Sequence, residues 1–288
     1  MADSSSLAPP PWIELPTDVT ANILQRLGAM EILESAEKVC LTWRAVCKIP
    51  AIWRVIDMEN SGDLIETAKY CEFMCRRAVD RSLGELIQIN IEFFGTNDLL
   101  LYISERSSQL KCLRLACCTG ISGKGLTTVI PKFPELEELH LSYMPYITAR
   151  EFEAISKCCS MLKSFTFNGR RSSMIDPKVD DRYALSIAKN MPNLHHLGLF
   201  GNDLSDEGLR AILDGCPSLE SLDIRRCNMI GLKDGLSKRC VEQIKDVRYP
   251  FDSIADYMWE DEDSDEQLNQ FWVHGLLAEC SKLLDDNN

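Results

Sequence analysis

Apolar residues recur along the middle of the chain at a nearly constant interval. The arrangement Leu-x-x-Leu-x-Leu, in which Phe or Ile replaces some leucines, begins at Leu110, Leu136, Leu162, Leu194 and Leu219. The last apolar positions of each copy alternate, as in a strand with one buried face, and the residues that follow return to helical spacing. The pattern therefore predicts a series of strand, turn and helix units.

Units of this kind cannot bury their apolar side alone, so they are expected to stack into a curved solenoid. The spacing is that of leucine-rich repeats, which place Asn or Cys after each strand to bond the backbone of the turn. Cys118, Asn202 and Cys227 occupy that place, and Met144 does so in one copy. We expect the α/β class, with about six repeats over residues 84–248, a parallel sheet on the concave face and helices outside.

Both ends of the repeat array are degenerate. Ile87 and Ile89 lie one period before Leu113 and Leu115, which predicts a first repeat that has lost its leucines. A worn final turn is predicted around Ile244.

Residues between the strand leucines are expected to point outward from the concave face. They combine both charges with a few aromatic groups and form no repeated ligand set, which favours a protein segment as the ligand. A solvated sheet face without a binding role is the alternative. The candidate substrate contacts on this face are Arg114, Glu138, His140, Thr166, Asn168, His196, Phe200, Asp223 and Arg225.

The fourth repeat is six residues longer than its neighbours, and the excess falls between Asn168 and Asp181. Insertions in solenoids emerge as loops and often serve binding. Arg170 and Arg171 in this loop would suit an acidic or phosphorylated partner. A loop with no role is the alternative.

The N-terminal region, residues 12–58, shows no strand alternation. Val19, Ile23 and Leu27 are spaced as on one face of a helix, and a second apolar series leads to Trp43. We expect three helices in a bundle so small that it would be marginally stable without a partner.

The order of residues in this region closely resembles an F-box, whose consensus is a Leu-Pro entry, an Ile-Leu helix, a Val-Cys-x-x-Trp-Arg helix and a closing Pro-x-x-Trp. Gly28-Ala29 departs from it, at the first turn between helices. The resemblance implies docking on a small Skp-family adaptor and, through it, on a cullin and a RING subunit. The chain would then be the substrate receptor of an SCF ubiquitin ligase.

The expected adaptor contacts follow from the resemblance. For Val39, Cys40 and Trp43, a place in the core of the bundle is equally supported, whereas contact is favoured for Leu15 and Pro16 at the entry. The full set is Leu15, Pro16, Val19, Ile23, Leu24, Leu27, Val39, Cys40, Trp43 and Trp53.

The regions that flank and join these modules complete the domain plan. Residues 59–83 are predicted to form a linking helix, and residues 1–11 are expected to be disordered. With both modules present, residues 12–250 resemble plant F-box/leucine-rich-repeat proteins. Residues 249–288 are predicted to be an acidic tail with a short helix, which either folds back on the last repeat or recruits a partner.

Charge is unevenly distributed over the 288 residues. The chain carries 31 basic and 44 acidic side chains, a net charge of −13, yet residues 61–240 carry 23 of each sign. The final 48 residues hold 13 acids and 3 bases, so the acidity belongs to the tail. Since no basic stripe and no apolar run of about 20 residues is present, neither nucleic acid nor membrane is expected as a partner.

Thirteen cysteines include no Cys-x-x-Cys pair, and Cys159 and Cys216 occupy places that sister repeats fill with Phe133 and Met191. We interpret them as free thiols used in packing, and expect no metal, no cofactor and a location in the nucleus or cytoplasm. No catalytic motif is present, so the chain is not expected to be an enzyme. The alternatives are a leucine-rich-repeat scaffold or inhibitor that binds a partner without ubiquitin transfer, and a small-molecule-sensing receptor.

Overall fold

The computed structural model describes residues 11–58, 67–169 and 178–257. In these ranges eight strands form one sheet in chain order, and every neighbouring pair is parallel. The order is that of a solenoid, which confirms the expected α/β architecture. The strands are β1 (Val55–Met58), β2 (Gln88–Glu92), β3 (Cys112–Ala116), β4 (Glu138–Ser142), β5 (Ser164–Asn168), β6 (His196–Gly198), β7 (Ser221–Asp223) and β8 (Asp246–Arg248).

Eleven α-helices lie in the described ranges. The N-terminal module contains α1 (Thr17–Leu24), α2 (Ala29–Glu31), α3 (Glu37–Val39) and α4 (Leu41–Val46), with a π-turn at Ile32–Ala36 and a 3₁₀ turn at Pro50–Arg54. The linking helix is α5 (Ala68–Arg81). The repeats contribute α6 (Asn97–Ser104), α7 (Gly123–Val129), α8 (Ala149–Cys158), α9 (Arg182–Asn190), α10 (Asp206–Gly215) and α11 (Leu236–Gln243). None of the helices in the described ranges has the length and apolar character that a membrane crossing requires.

The repeat interior is built as the pattern predicts. Leu113, Leu139 and Phe165 occupy the same register on adjacent strands and are wholly buried. At the turn after β6, the Asn202 amide donates to the carbonyl oxygens of Phe167, 2.7 Å away, and Leu199, 3.0 Å away. Backbone carbonyl oxygens at the end of a buried strand need hydrogen-bond donors, and the Asn202 side chain provides one.

The predicted register of the first repeat is wrong by two residues. Ile89 pairs with Leu113 and Ile91 with Leu115, whereas the carbonyl oxygen of Ile87 accepts hydrogen bonds from the next repeat. A shift of two leaves the same side chains on the same face of a strand, so the hydrophobic pattern does not distinguish the two alignments.

The sheet also extends further upstream than the predicted repeats. Strand β1 lies within residues 12–58 and pairs with β2, and Ile56 and Met58 point into the common core. The N-terminal module is therefore continuous with the solenoid. Residues 59–66 of the expected linker, the expected disordered residues 1–10 and the short helix expected in the tail, beyond residue 257, lie outside the described ranges.

Side chains fix the N-terminal module to the linking helix. The carboxylate of Glu37 accepts hydrogen bonds from Arg77 at 3.2 Å and from Arg81 at 3.1 Å, both on α5. The indole nitrogen of Trp53 donates to the carbonyl oxygen of Cys47 at 2.9 Å. One hydrophobic core runs from Leu24 to Ile244 through both modules.

Candidate functional site

The parallel register arranges the outward residues of the concave face in rows. Arg114, His140 and Thr166 are direct neighbours on β3, β4 and β5, and a second row places Glu138 between Cys112 and Ser164. Residues distant in sequence thus form one polar surface.

A hydrogen-bonded cluster occupies the β3 to β5 part of this surface. His140 Nε2 lies 3.2 Å from Glu138 Oε2, and His140 Nδ1 lies 2.8 Å from Thr166 Oγ1. Arg114 donates from Nε to Cys112 Sγ at 3.4 Å, and its Nη2 lies 3.5 Å from Glu138 Oε2. Four of the predicted substrate contacts are therefore brought together, with Cys112 as a member that the prediction left out.

The cluster shifts the ionisation of its members. Burial lowers the pKa of His140, and the charge of Arg114 acts in the same direction. Burial raises the pKa of the Cys112 thiol. Burial alone would raise the pKa of Glu138, but hydrogen bonds from His140 and Cys112 and the charge of Arg114 lower it. At neutral pH the surface therefore presents a neutral imidazole between a carboxylate and a guanidinium.

The same cluster contains donor atoms that a metal could use. Cys112 Sγ, a carboxylate oxygen of Glu138 and a ring nitrogen of His140 lie within 4.8 Å of one another, and zinc accepts all three types. Arg114 contacts two of these donors, so a cation would bind only if that positive side chain moved away. We interpret the cluster as a polar binding surface.

A different arrangement covers the β5 to β8 part of the concave face. Residues 249–257, which we call the strap, follow β8 and return across the sheet. The ring of Tyr257 stacks on that of Phe200 with centroids 3.7 Å apart and planes 7° apart. The amide of Asn168 donates to the Tyr257 hydroxyl at 3.0 Å.

Two arginines hold the carboxylate of Asp256 in the strap. Arg225 and Arg248 both form ion pairs with it, and Arg225 also donates to the carbonyl oxygen of Ser253 at 2.8 Å. Hydrogen bonds from these arginines lower the pKa of Asp256 to about 2. The strap is therefore bound by both an aromatic and an acidic side chain.

The strap covers three of the predicted substrate contacts. Asn168, Phe200 and Arg225 were expected to be available on the concave face, but they are buried beneath Tyr257 and Asp256. Asp223 is half-buried and binds Arg225, whereas His196 is exposed. The accessible part of the predicted surface is therefore the cluster on β3 to β5 together with His196. Arg170 and Arg171 lie outside the described residues.

The N-terminal module presents apolar side chains to solvent. Val19 and Ile23, one turn apart on α1, are 40% and 42% exposed, and Val39 is 54% exposed. Leu41, which the consensus does not include, is 82% exposed and begins α4. Helix α1 packs against α4. Exposed apolar side chains on such a small module indicate a protein-binding surface.

The other expected adaptor contacts fall into two groups. Leu24 and Trp53 are wholly buried within the chain, so the prediction of direct contact is wrong for them and they stabilise the bundle instead. Leu15, Leu27 and the remaining members are at least partly accessible. The half-buried ones are Leu15, Leu27, Cys40 and Trp43, and Pro16 is exposed.

The predicted second helix is interrupted at one of these positions. Cys40 adopts an extended conformation, with φ −159° and ψ 170°, and its Sγ accepts a hydrogen bond from the Trp43 backbone at 3.4 Å. Cys40 therefore ends one helix and caps the next. The break places Val39 and Leu41 on either side of it, both exposed.

Comparison with known proteins supports both modules. The F-box-like family profile matches residues 12–59, and the Leucine Rich repeat profile matches residues 190–213 and 215–237. The F-box protein SKIP19 of Arabidopsis thaliana is 50% identical over 85% of this chain and 79% of its own length. The putative F-box/LRR-repeat protein 23 of the same plant is 46% identical over 88% of this chain and 59% of its own length.

A further relative covers the chain more fully. The putative F-box/LRR-repeat protein 22 of Arabidopsis thaliana is 44% identical over 91% of this chain and 87% of its own length. Among solved structures, a chain from the crystal structure of the Rad7 and Elc1 complex in yeast aligns with a TM-score of 0.47 and 16% identity, over 83% of this chain and 70% of that one.

Proposed function

The chain belongs to the F-box/leucine-rich-repeat family, and on this basis we propose that it is the substrate-recognition subunit of an SCF-type ubiquitin ligase. Proteins of this family are receptor subunits rather than enzymes. The F-box would bind a Skp-family adaptor and, through it, a cullin and a RING subunit. The concave face of the repeats would bind a protein substrate, in the nucleus or cytoplasm.

The observation that carries this proposal is the fixed connection between the two binding surfaces. Strand β1 joins the F-box to the solenoid sheet, and Glu37 ties it to α5 through Arg77 and Arg81. A receptor that works by tethering must hold its substrate at a defined place relative to the adaptor. Tethering raises the effective concentration of a substrate lysine to about the millimolar range, so that ubiquitin transfer becomes nearly intramolecular.

The adaptor surface would rest on the exposed apolar side chains of the F-box. Val19, Ile23, Val39 and Leu41 are exposed in this chain, and their burial against an adaptor would supply the favourable free energy of docking. Central apolar anchors of such interfaces commonly cost about 2–4 kcal/mol of binding free energy when truncated.

The substrate surface would begin at the open cluster on β3 to β5. This cluster contains one positive side chain, Arg114, and one negative side chain, Glu138. It also contains hydrogen-bonding groups on His140 and Thr166. Mixed polar groups of this kind fix the orientation of a bound protein segment.

Co-purification with a Skp-family adaptor tests the proposal. In the variant Ile23→Asp, a charge replaces an apolar contact on α1, and we expect adaptor binding to fall by at least tenfold. Leu185→Asp is the matched control, because Leu185 is also exposed but lies on α9 of the solenoid; it should bind the adaptor as the unchanged chain does. Equal loss in both variants, or none in either, would argue against an adaptor surface on α1. Adaptor binding without cullin would favour the scaffold alternative.

A further inference from the structure

The strap ends in two adjacent side chains of opposite character, and each is received by its own set of solenoid residues. Asp256 meets Arg225 and Arg248, and Tyr257 meets Phe200 and Asn168. The start of the strap is fixed at β8, where Tyr249 packs on the hydrophobic core and the carbonyl oxygen of Pro250 accepts a hydrogen bond from the Arg226 backbone at 2.9 Å. Beyond Pro250 the side chains are open: Phe251 is 83% exposed, and residues 252, 253 and 255 are also exposed. The attachment of residues 251–257 to the concave face therefore depends mainly on the side chains of Asp256 and Tyr257 and on the Ser253 carbonyl.

The solenoid positions the acid-binding groups without help from the strap. Arg225 is only 3% exposed, and its Nε and Nη2 both bond the carboxylate of Asp223 at 3.0 and 2.8 Å. This two-point contact fixes the guanidinium plane and leaves Nη1 directed at Ser253 and Asp256. A preorganised arginine fork suits a carboxylate ligand.

The aromatic position is preorganised in the same way. The Asn168 side-chain oxygen accepts a hydrogen bond from the Phe200 backbone at 3.2 Å, and its amide nitrogen contacts Ser142 Oγ at 3.3 Å. The amide is therefore already turned toward the Tyr257 hydroxyl, which also forms a hydrogen bond with Tyr143. The ring of Phe200 supplies a flat apolar surface for stacking.

We propose that the concave face between β5 and β8 is a recognition site for an acidic residue followed by an aromatic residue in a protein segment. Asp256 and Tyr257 occupy this site in cis. The identification of that segment as part of a ubiquitination substrate rests on the proposed function. A substrate that carries the same pair displaces the strap and extends onto the open cluster at Arg114 and His140.

Competition between the strap and a substrate follows from chain connectivity. The strap is joined directly to β8, so its effective concentration at the site is about millimolar. A free segment with the same two residues must compete with the strap. Its affinity is reduced by a factor equal to the fraction of molecules in which the strap is detached from the site. Additional contacts on β3 to β5 would allow a true substrate to overcome that factor, whereas unrelated acidic segments would fail.

A peptide-binding measurement on the full chain tests the proposal. The probe is a fluorescein-labelled peptide with blocked ends and the sequence of residues 252–257, Asp-Ser-Ile-Ala-Asp-Tyr. We expect it to bind the double variant Asp256→Ala/Tyr257→Ala at least tenfold more tightly than the unchanged chain. Peptides in which the final Asp or the Tyr is replaced by Ala should lose most of this affinity.

The peptide substitutions leave the folding of the protein untouched, so they separate recognition from structural damage. Arg225→Ala in the double variant should abolish binding, and thermal unfolding of each variant checks that the solenoid remains folded. Equal affinity for the unchanged chain and the double variant, no binding to either, or equal binding of the substituted peptides would overturn the proposal. Adaptor co-purification is measured on the same samples. Loss of adaptor binding would count against the receptor function, whereas peptide binding tests the recognition site independently.

Discussion

Glu37 of α3 accepts a hydrogen bond from Arg81 of α5 at 3.1 Å, and the same carboxylate is bonded to Arg77. One residue of the F-box thus contacts two successive turns of the linking helix. Because the carboxylate is mostly buried, its loss would leave both guanidinium groups without their shared partner. The geometry of the junction, and with it the orientation of the proposed substrate surface, depends on this contact.

We predict that Glu37→Ala lowers the free energy of unfolding by about 1.5–3 kcal/mol, the range for hydrogen bonds to charged groups. Urea denaturation followed by circular dichroism measures it. Glu153→Ala is the control, because Glu153 pairs with Lys157 on the exposed side of α8; it should unfold at the same urea concentration as the unchanged chain. An equal effect of the two substitutions would contradict the role given to the junction.

Asn202 is predicted to contribute to stability through its two backbone acceptors. Asn202→Ala leaves the carbonyl oxygen of Phe167 without this donor inside the core, which costs about 1–3 kcal/mol for one unsatisfied group, whereas the Leu199 carbonyl keeps the hydrogen bond from Cys227. Asn202→Cys should lose less, because Cys227 in the corresponding place of the next repeat donates to the Leu199 carbonyl at 2.9 Å. Urea denaturation of the two variants checks this order, and the reverse order would contradict it.

A pH dependence follows from the half-buried imidazole of His140. The pKa of His140 is lowered by burial, so the unfolded chain takes up a proton at a higher pH than the folded one. The stability associated with neutral His140 is present above the ordinary pKa of about 6.5 and is lost as pH falls through that value. Thermal melts at pH 7.5 and 5.5 should show a larger decrease for the unchanged chain than for His140→Gln. Equal decreases would mean that His140 does not titrate in this way.

The entry to the F-box is predicted to be a contact region. Leu15 is half-buried and Pro16 is exposed, so the double change Leu15→Ala/Pro16→Ala removes little from the core. We expect it to abolish co-purification of the adaptor while the repeats keep the melting behaviour of the unchanged chain. Retained co-purification would show that adaptor contact lies elsewhere on the module.

The repeat architecture could be predicted because the same pattern of apolar residues recurs in each repeat. Leu113, Leu139 and Phe165 carry the same spacing, and the structure stacks them in one register. Strand β1 could not be predicted in the same way, since Ile56 and Met58 follow an F-box motif and lack the leucines of the repeat. A two-residue slip at Ile89 escaped detection because it changes no side chain from one face to the other.

The binding surface was only partly predictable, for a different physical reason. Strand alternation correctly placed Arg114, Glu138 and His140 on the concave face, but periodicity holds no information on contacts with a non-periodic segment. Asn168 and Tyr257 are 89 positions apart, and no spacing rule relates them. The open question for the tail concerns its predicted helix, which lies outside the described residues; the residues before it, 249–257, cross the concave face.

Reconstitution from purified components tests the central claim most directly. The full chain is mixed with a Skp-family adaptor, a cullin and a RING subunit, and the mixture is separated by size-exclusion chromatography. The receptor function predicts one complex that contains all four proteins and that is lost with Ile23→Asp but kept with Leu185→Asp. Elution of the unchanged chain alone, apart from an assembled adaptor, cullin and RING complex, would contradict it.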